Sequence, residues 1–429
     1  YYYPPYGYPY PYPYPPRPRP AKGEGYRAVL GWIVSIGSAL LVLGGLALLG
    51  LLLLDTAVGA RFSLASLAGS VGLIVAAVAG GGGGLYLGIT ALLKRPSVRL
   101  SLPSAWLWLA ATAVTIGGAI VLWNAQPAPG PLAAILPLFM LAGALPAATI
   151  LAYTAQRLDS PTTWRHMLVS LVYGAVVATL LASIIEGVLF VALVVVLSRF
   201  GVNVTFGESF IQNFDPSNPI QVLMFVLVAS VVAPVVEEGF KPLGAVFLLP
   251  RVRGPAEAFL LGLAAGEGFA VIETLTYFGL GQADWINVAI DRIGAGLLHG
   301  VGAGMGALGW YYVFRGKGVP LRWLRGFGAL AYAVVQHAIF NASGLIGIVP
   351  PIGRWLSSPA PLVWLGTLPI ERSFVVELVL YSLVFGMLTF MTGRLRHAPQ
   401  SPATGDAPAA VPEARGPEQV PALVMGGAR

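Results

Sequence analysis

From residue 28 to residue 393 the chain alternates long apolar stretches with short polar, often proline-containing joints. A membrane-crossing helix needs roughly 20 consecutive apolar residues. Stretches of that kind lie near 28–54, 64–93, 103–124, 131–155, 167–198, 220–249, 256–280, 291–314, 324–348 and 373–393. The pattern predicts an all-α, polytopic helical membrane protein of about ten transmembrane helices. The second stretch contains the run AGGGGGLYLG at 79–88, which is expected to allow either a kink or close helix packing.

The joints carry an orientation signal. One alternating set holds seventeen Lys and Arg residues, including Lys94, Arg95, Arg157, Arg251, Arg253, Arg315 and Arg394; the other holds five, Arg61, Arg199, Arg292, Arg354 and Arg372. Positive charge gathers on the cytoplasmic side of membrane proteins. Both termini are therefore expected in the cytoplasm, and the number of spans is expected to be even.

Composition strengthens this picture. The chain is 56% hydrophobic and 10% charged, where a soluble domain carries about 25% charged residues. An integral membrane protein, most simply of the plasma membrane, follows. The net charge of +7 comes from the short basic joints and is not a nucleic-acid signal. Cysteine is absent, which excludes disulfides and thiolate metal sites. The Tyr/Pro-rich opening, residues 1–27, favours extended polyproline conformation and reads as a disordered cytoplasmic tail. It has neither the apolar core nor the cleavage site of a signal peptide. Residues 397–429, rich in Pro, Ala and Gly, read as a second disordered cytoplasmic tail.

Five charges fall where lipid should be. The sixth stretch holds Glu237, Glu238 and Lys241, and the seventh holds Glu267 and Glu273. Facing lipid, such a set would cost on the order of 10 kcal/mol or more, so these groups must face the bundle interior, pair, or neutralise. Of four histidines, His299 and His337 lie inside the eighth and ninth stretches. Helical spacing sharpens the set. Glu237 with Lys241 and His337 with Asn341 are i, i+4 pairs, and Arg292 with His299 is i, i+7, so each pair shares a face. Pro234, three residues before Glu237, is expected to break or kink the sixth helix. The segment HGVGAGMGALG after His299 offers a small-residue surface for a close neighbour.

Three chemistries fit these residue types. A glutamate can act as general base on a water, with His or Asn stabilising the oxyanion. Glu and His can instead ligate a divalent metal that activates the water. A proton or ion path also uses buried Glu and His.

In order along the chain, APVVEEGFK (233–241), GEGFAVIETLTYF (266–278), RIGAGLLHGVGAGMGALG (292–309) and QHAIFNASG (336–344) resemble the PrsW family of intramembrane proteases. That family is distantly similar to the CAAX prenyl protease and ABI group. The resemblance covers about residues 220–345, one motif per helix. It implies that residues 220–348 are a catalytic transmembrane core, beside N-terminal transmembrane helices over 28–198 and a last one over 373–396. It implies catalytic roles for Glu237, Glu238, Glu273, His299, His337 and Asn341, with Lys241 and Arg292 supporting them. One of the paired acids would activate water; the histidines and Asn341 would position it and hold the oxyanion. The metalloprotease label often given to the family adds a divalent metal such as Zn as a candidate cofactor, although the chain has no His-Glu-x-x-His motif. Two positions depart from the pattern. Thr274 stands where Asn is expected, and Glu267 where a neutral residue is common. Glu267 also lies about 240° around the helix from Glu273, so both cannot face one site. Glu186 and Glu377 read as packing residues.

The implied function is hydrolysis of a peptide bond in a membrane-associated protein, for example a membrane-anchored regulator such as an anti-sigma factor. The bilayer and a membrane-anchored protein are the expected partners, with no nucleic acid. A proton-coupled transporter or scaffold is the rival outside the enzyme class, and a prenyl-protein protease the rival inside it. A transporter would be expected to repeat its acid-rich helix in the other half of the chain, and the first five stretches contain no second copy.

Overall fold

The structure, a computed structural model, describes residues 24–59, 64–124, 129–159, 162–199, 218–279, 285–343 and, with short gaps, 352–398. The tail 399–429 and all but the last four residues of the Tyr/Pro-rich segment lie outside the described residues. The first four helices are α1 (Glu24–Ala57), α2 (Leu64–Leu92), α3 (Ala105–Asn124) and α4 (Pro129–Leu158). Next come α5 (Trp164–Arg199) and α6 (Pro219–Val246), then α7 (Pro255–Gly279), α8 (Trp285–Arg315) and α9 (Arg322–Ser343). A short α10 (Ile352–Leu356) and an antiparallel hairpin of β1 (Val363–Leu365) and β2 (Leu368–Ile370) lead to α11 (Phe374–Leu395).

Each of the ten apolar stretches falls on one of the long helices. Among the described residues, five regions are long and apolar enough to cross a membrane: Val34–Ala57, Trp164–Arg199, Pro219–Val246, Pro255–Tyr277 and Phe374–Leu395. α8 and α9 fall short by that standard for a physical reason: α8 carries Asp291, Arg292 and His299 among its glycines, and α9 has Arg322, Arg325, Gln336 and Asn341. The chain is an integral membrane protein with an all-α architecture. The hairpin between α10 and α11 was not foreseen, since its strands are only three residues long.

The bundle is built around α7. In its most apolar window 83% of residues are buried by protein, against 11–17% in the other four candidate spans. Phe259, Leu260 and Leu263 of α7 meet Leu298, Val301 and Leu308 of α8 in the main core, which also takes in Leu151 and Leu158 of α4 and Leu388 of α11. Close approach depends on missing side chains. A Cβ on Gly266 would collide with the carbonyl oxygen of His299, and one on Gly174 of α5 with that of Ala265. The small-residue surface after His299 is thus a helix contact, as expected. The glycine run of α2 gives packing, not a kink: α2 stays helical throughout, and a Cβ on Gly81 would lie 2.8 Å from the Ser38 carbonyl of α1.

Two helices are locally widened. α5 contains a π turn at Tyr173–Ala178, and α6 one at Val226–Val232. The second bears on the expectation of a break at Pro234. The helix does not break there: Pro234 is the second residue of the α-helical segment Ala233–Phe240. The hydrogen bond that proline cannot make falls in the turn where the π geometry has already shifted the ladder. The α-helix is instead interrupted at Lys241 and Pro242, before a last turn at Leu243–Val246.

Candidate active site

α6, α7, α8 and α9 bring their polar residues to one place. The i, i+3 and i, i+4 spacing aims Glu238 and Glu237 of α6 at Lys241, whose ammonium is fully buried. Lys241 Nζ lies 2.7 Å from Glu237 Oε2 and 2.8 Å from Glu238 Oε1. It also lies 2.6 Å from His299 Nδ1 and 4.2 Å from the centre of the Phe269 ring. A lysine ammonium has donors only, so His299 accepts at Nδ1. Its other nitrogen, Nε2, then carries the proton and meets Glu273 Oε2 at 2.7 Å. Glu273 is held in turn by Arg292 Nη2 at 2.5 Å. Arg292 Nε also donates to Thr274 Oγ1 at 3.4 Å. The threonine that departs from the family pattern therefore helps seat the arginine.

His337 closes the set from α9. Its Nδ1 is 3.0 Å from Glu238 Oε1, and its Nε2 stands 3.9 Å from Glu237 Oε2. The His299 and His337 rings meet edge-on with centroids 5.0 Å apart. Asn341, one turn further along α9, donates to the Ala229 carbonyl at 2.6 Å. Ala229 lies in the π turn of α6, so the amide ties α9 to the helix that carries the paired acids.

The two adjacent acids have different surroundings. Glu237, Glu273, His299, His337 and Asn341 line a polar cavity of about 520 Å³. Glu238 is not in its wall and lies behind, its side chain 1% exposed. Glu267 is elsewhere, as helical geometry required. It is fully buried about 120° around α7 from Glu273, against Gly296 and Gly300 of α8 and outside the cavity wall.

Some cavity residues were not anticipated. Glu186 of α5 and Glu377 of α11, read from sequence as packing residues, both line it, as do Tyr277 and Asp291. Glu186 lies outside every motif, and the one available signal was an acid inside an apolar stretch. Gln336, beside His337, donates to the Leu298 carbonyl at 2.9 Å. No spacing rule singled it out.

Glu237, Glu238, His299 and His337 are all buried, with one potential ligand atom each lying within 4.8 Å of the others. Two carboxylates and two imidazoles suit a divalent ion of the zinc class, so this donor set fits a metal. The Lys241 ammonium stands in the same group of atoms.

Residues 162–365 match the family model described as PrsW family intramembrane metalloprotease. This part of the chain is a PrsW-type domain, and the protein is a protease. The match spans α5 to the β-hairpin and so contains all eight residues singled out from the sequence. No curated protein and no solved structure matches the chain.

Proposed function

We propose that this PrsW-type protease hydrolyses a peptide bond of a membrane-associated protein in the cavity between α6, α7, α8 and α9, with Glu237 as the water-activating base. The observation that carries this is the pairing of Glu237 Oε2 with His337 Nε2 across 3.9 Å at the cavity wall. That gap is too long for a direct hydrogen bond, and a water held there would donate to both. The His337 tautomer that donates Nδ1–H to Glu238 offers Nε2 as an acceptor. Glu238 orients His337 and pairs with Lys241. His299 spends its one N–H on Glu273 and accepts from Lys241 at Nδ1, so it positions these two side chains. Asn341 uses one amide hydrogen on Ala229 and has a second for the cavity that it lines.

Glu237, Glu238, His299 and His337 would be the ligands of a bound divalent metal. Such an ion supplies a Lewis acid and a more acidic water. In the arrangement described, the Lys241 ammonium already offsets one of the two carboxylate charges and occupies the space among the donors, which favours a glutamate-activated water.

The ten apolar helices would each cross the bilayer, with the joints bearing Arg251, Arg315 and Arg394 and both termini on the cytoplasmic side of the plasma membrane. The substrate class extends to membrane-anchored regulators such as anti-sigma factors. A prenylated-protein substrate is the alternative within the same chemistry.

The test is cleavage of a panel of single-span membrane proteins by the full chain reconstituted in liposomes. Wild type runs beside Glu237→Gln and His337→Ala, with and without a chelator. Cleavage lost in both variants and resistant to chelator is the expected result. Equal cleavage by wild type and both variants overturns the site.

A further inference from the structure

A second large cavity lies away from the acids, where the α1–α2 hairpin meets α5 and the last turn of α6. It measures about 490 Å³ and is lined almost wholly by apolar groups, among them Leu41, Val172, Val176, Leu181 and Phe247. At one end it shares Val34, Leu87 and Val169 with a small cavity of about 30 Å³ whose wall contains Arg165, His166 and Arg251. Among the described residues no Asp or Glu lines either space. Glu257, the acid beside this end, faces His166 at 3.4 Å and accepts the Arg253 backbone N–H.

The groove thus has a polarity. One end is basic and lies at the start of α5 and the end of α6, on the side richer in positive joints. From Val169 the wall runs along α5 to Leu181, about 18 Å at the helical rise per residue. That compares with about 15 Å for the hydrocarbon depth of one leaflet. Basic pockets between transmembrane helices are suited to anionic headgroups.

We infer that this groove binds an anionic phospholipid, with its phosphate at Arg165 and Arg251 and an acyl chain along α5 between Gly37 and Phe247. The charge at the mouth selects the headgroup, and the apolar wall selects a chain over a free anion. The inference does not rest on the protease reading. It does connect the lipid to the acid-bearing helix. The groove wall includes Leu243, Gly244 and Phe247, which follow Lys241 directly after the interruption of α6. Tyr173 packs on Gly244, where a Cβ would lie 2.8 Å from its ring, and edge-on to Phe247 at 5.9 Å. A chain in the groove would therefore support the turn next to Lys241.

The test is thermal unfolding of the delipidated full chain in detergent, titrated with dioleoylphosphatidylglycerol, dioleoylphosphatidylcholine or inorganic phosphate. Phosphatidylglycerol should raise Tm with the logarithm of its concentration, by about 4 °C near 100-fold excess over Kd. Phosphatidylcholine and phosphate should not. Arg165→Gln with Arg251→Gln should abolish the preference for phosphatidylglycerol. Because Arg165 also donates to the Arg95 carbonyl at 2.8 Å, that variant is expected to lose some stability by itself, so Gly37→Leu is the second probe. A Cβ at Gly37 meets nothing within 4 Å, and the longer side chain would fill the groove; it should remove the phosphatidylglycerol shift while the protein stays folded. Equal stabilisation by phosphatidylcholine, the same shift with phosphate alone, or a full shift retained in Gly37→Leu would each overturn the assignment.

Discussion

Lys241 Nζ lies 2.6 Å from His299 Nδ1, with the Glu237 and Glu238 carboxylates at 2.7 and 2.8 Å. One lysine therefore does two jobs. It offsets one of two carboxylate charges that membrane burial would otherwise penalise, and it fixes the tautomer of the imidazole facing Glu273. The sequence pattern explained the first of these through i, i+3 and i, i+4 spacing. The second needs α8 to lie against α6.

Removing the ammonium should be expensive. Lys241→Met leaves two buried carboxylates facing each other without a cation. Breaking a buried pair in this way costs about 3–5 kcal/mol, read as a lowered Tm in detergent. Adding Glu238→Gln to Lys241→Met should recover part of the loss, because one carboxylate charge goes with it. An unchanged Tm in the single variant would show that the acids are not held as an ion pair.

The paired acids should separate kinetically. Glu237→Gln removes the proposed base at the cavity wall, and cleavage should fall by about 10²–10⁴-fold, the usual contribution of a general base, with Tm near that of wild type. Glu238→Gln acts on Lys241 and His337 from behind, so it should lower Tm together with activity. Side-by-side cleavage rates and melting curves decide this. The reverse pattern would exchange the two roles.

Much of this arrangement was legible before any coordinates. Apolar stretches gave the long helices because the bilayer length and the helical rise are fixed quantities. Glu237, Lys241, His299 and His337 stood out because ionisable groups are costly at membrane depth. What sequence could not supply was distance between helices. It could not separate Glu237, at the cavity wall, from Glu238, behind it, since both are acids on one turn. It gave Glu186 no role, because a lone acid on α5 has no periodic partner to show which way it faces. The break expected at Pro234 is absent for a local reason: a π turn next to the proline absorbs the missing bond, and propensity rules describe the α ladder alone.

Lys241 and a divalent metal compete for the same donors, and that competition is measurable. Glu237, Glu238, His299 and His337 place their ligand atoms within 4.8 Å of one another, and the ammonium sits among them. Zn²⁺ binding followed by calorimetry should be weak in wild type and at least tenfold tighter in Lys241→Met, where the positive charge is gone. Wild-type cleavage should survive a chelator. Tight Zn²⁺ binding by wild type, with cleavage lost on chelation and regained on adding Zn²⁺, would instead mean that the lysine moves aside for the metal.

The contact between α7 and α8 gives a test that leaves every polar group in place. A Cβ on Gly266 would strike the carbonyl oxygen of His299 and lie 2.8 Å from the Gly300 Cα. Neither obstacle is a side-chain end that can turn away; both are backbone, so the helices must separate. Gly266→Ala should cost about 1–3 kcal/mol, as overpacking does in well-filled cores. The same displacement carries His299 away from Lys241 and Glu273. Misplacement of a catalytic group by about 1 Å costs on the order of 10²-fold in rate, so activity should fall well beyond what the stability loss explains at a temperature where the variant is folded. Gly37→Ala is the matched control: nothing lies within 4 Å of a Cβ there, and it should leave cleavage unchanged. If Gly266→Ala cleaves at the wild-type rate, His299 does not need its present position, and its assigned role fails.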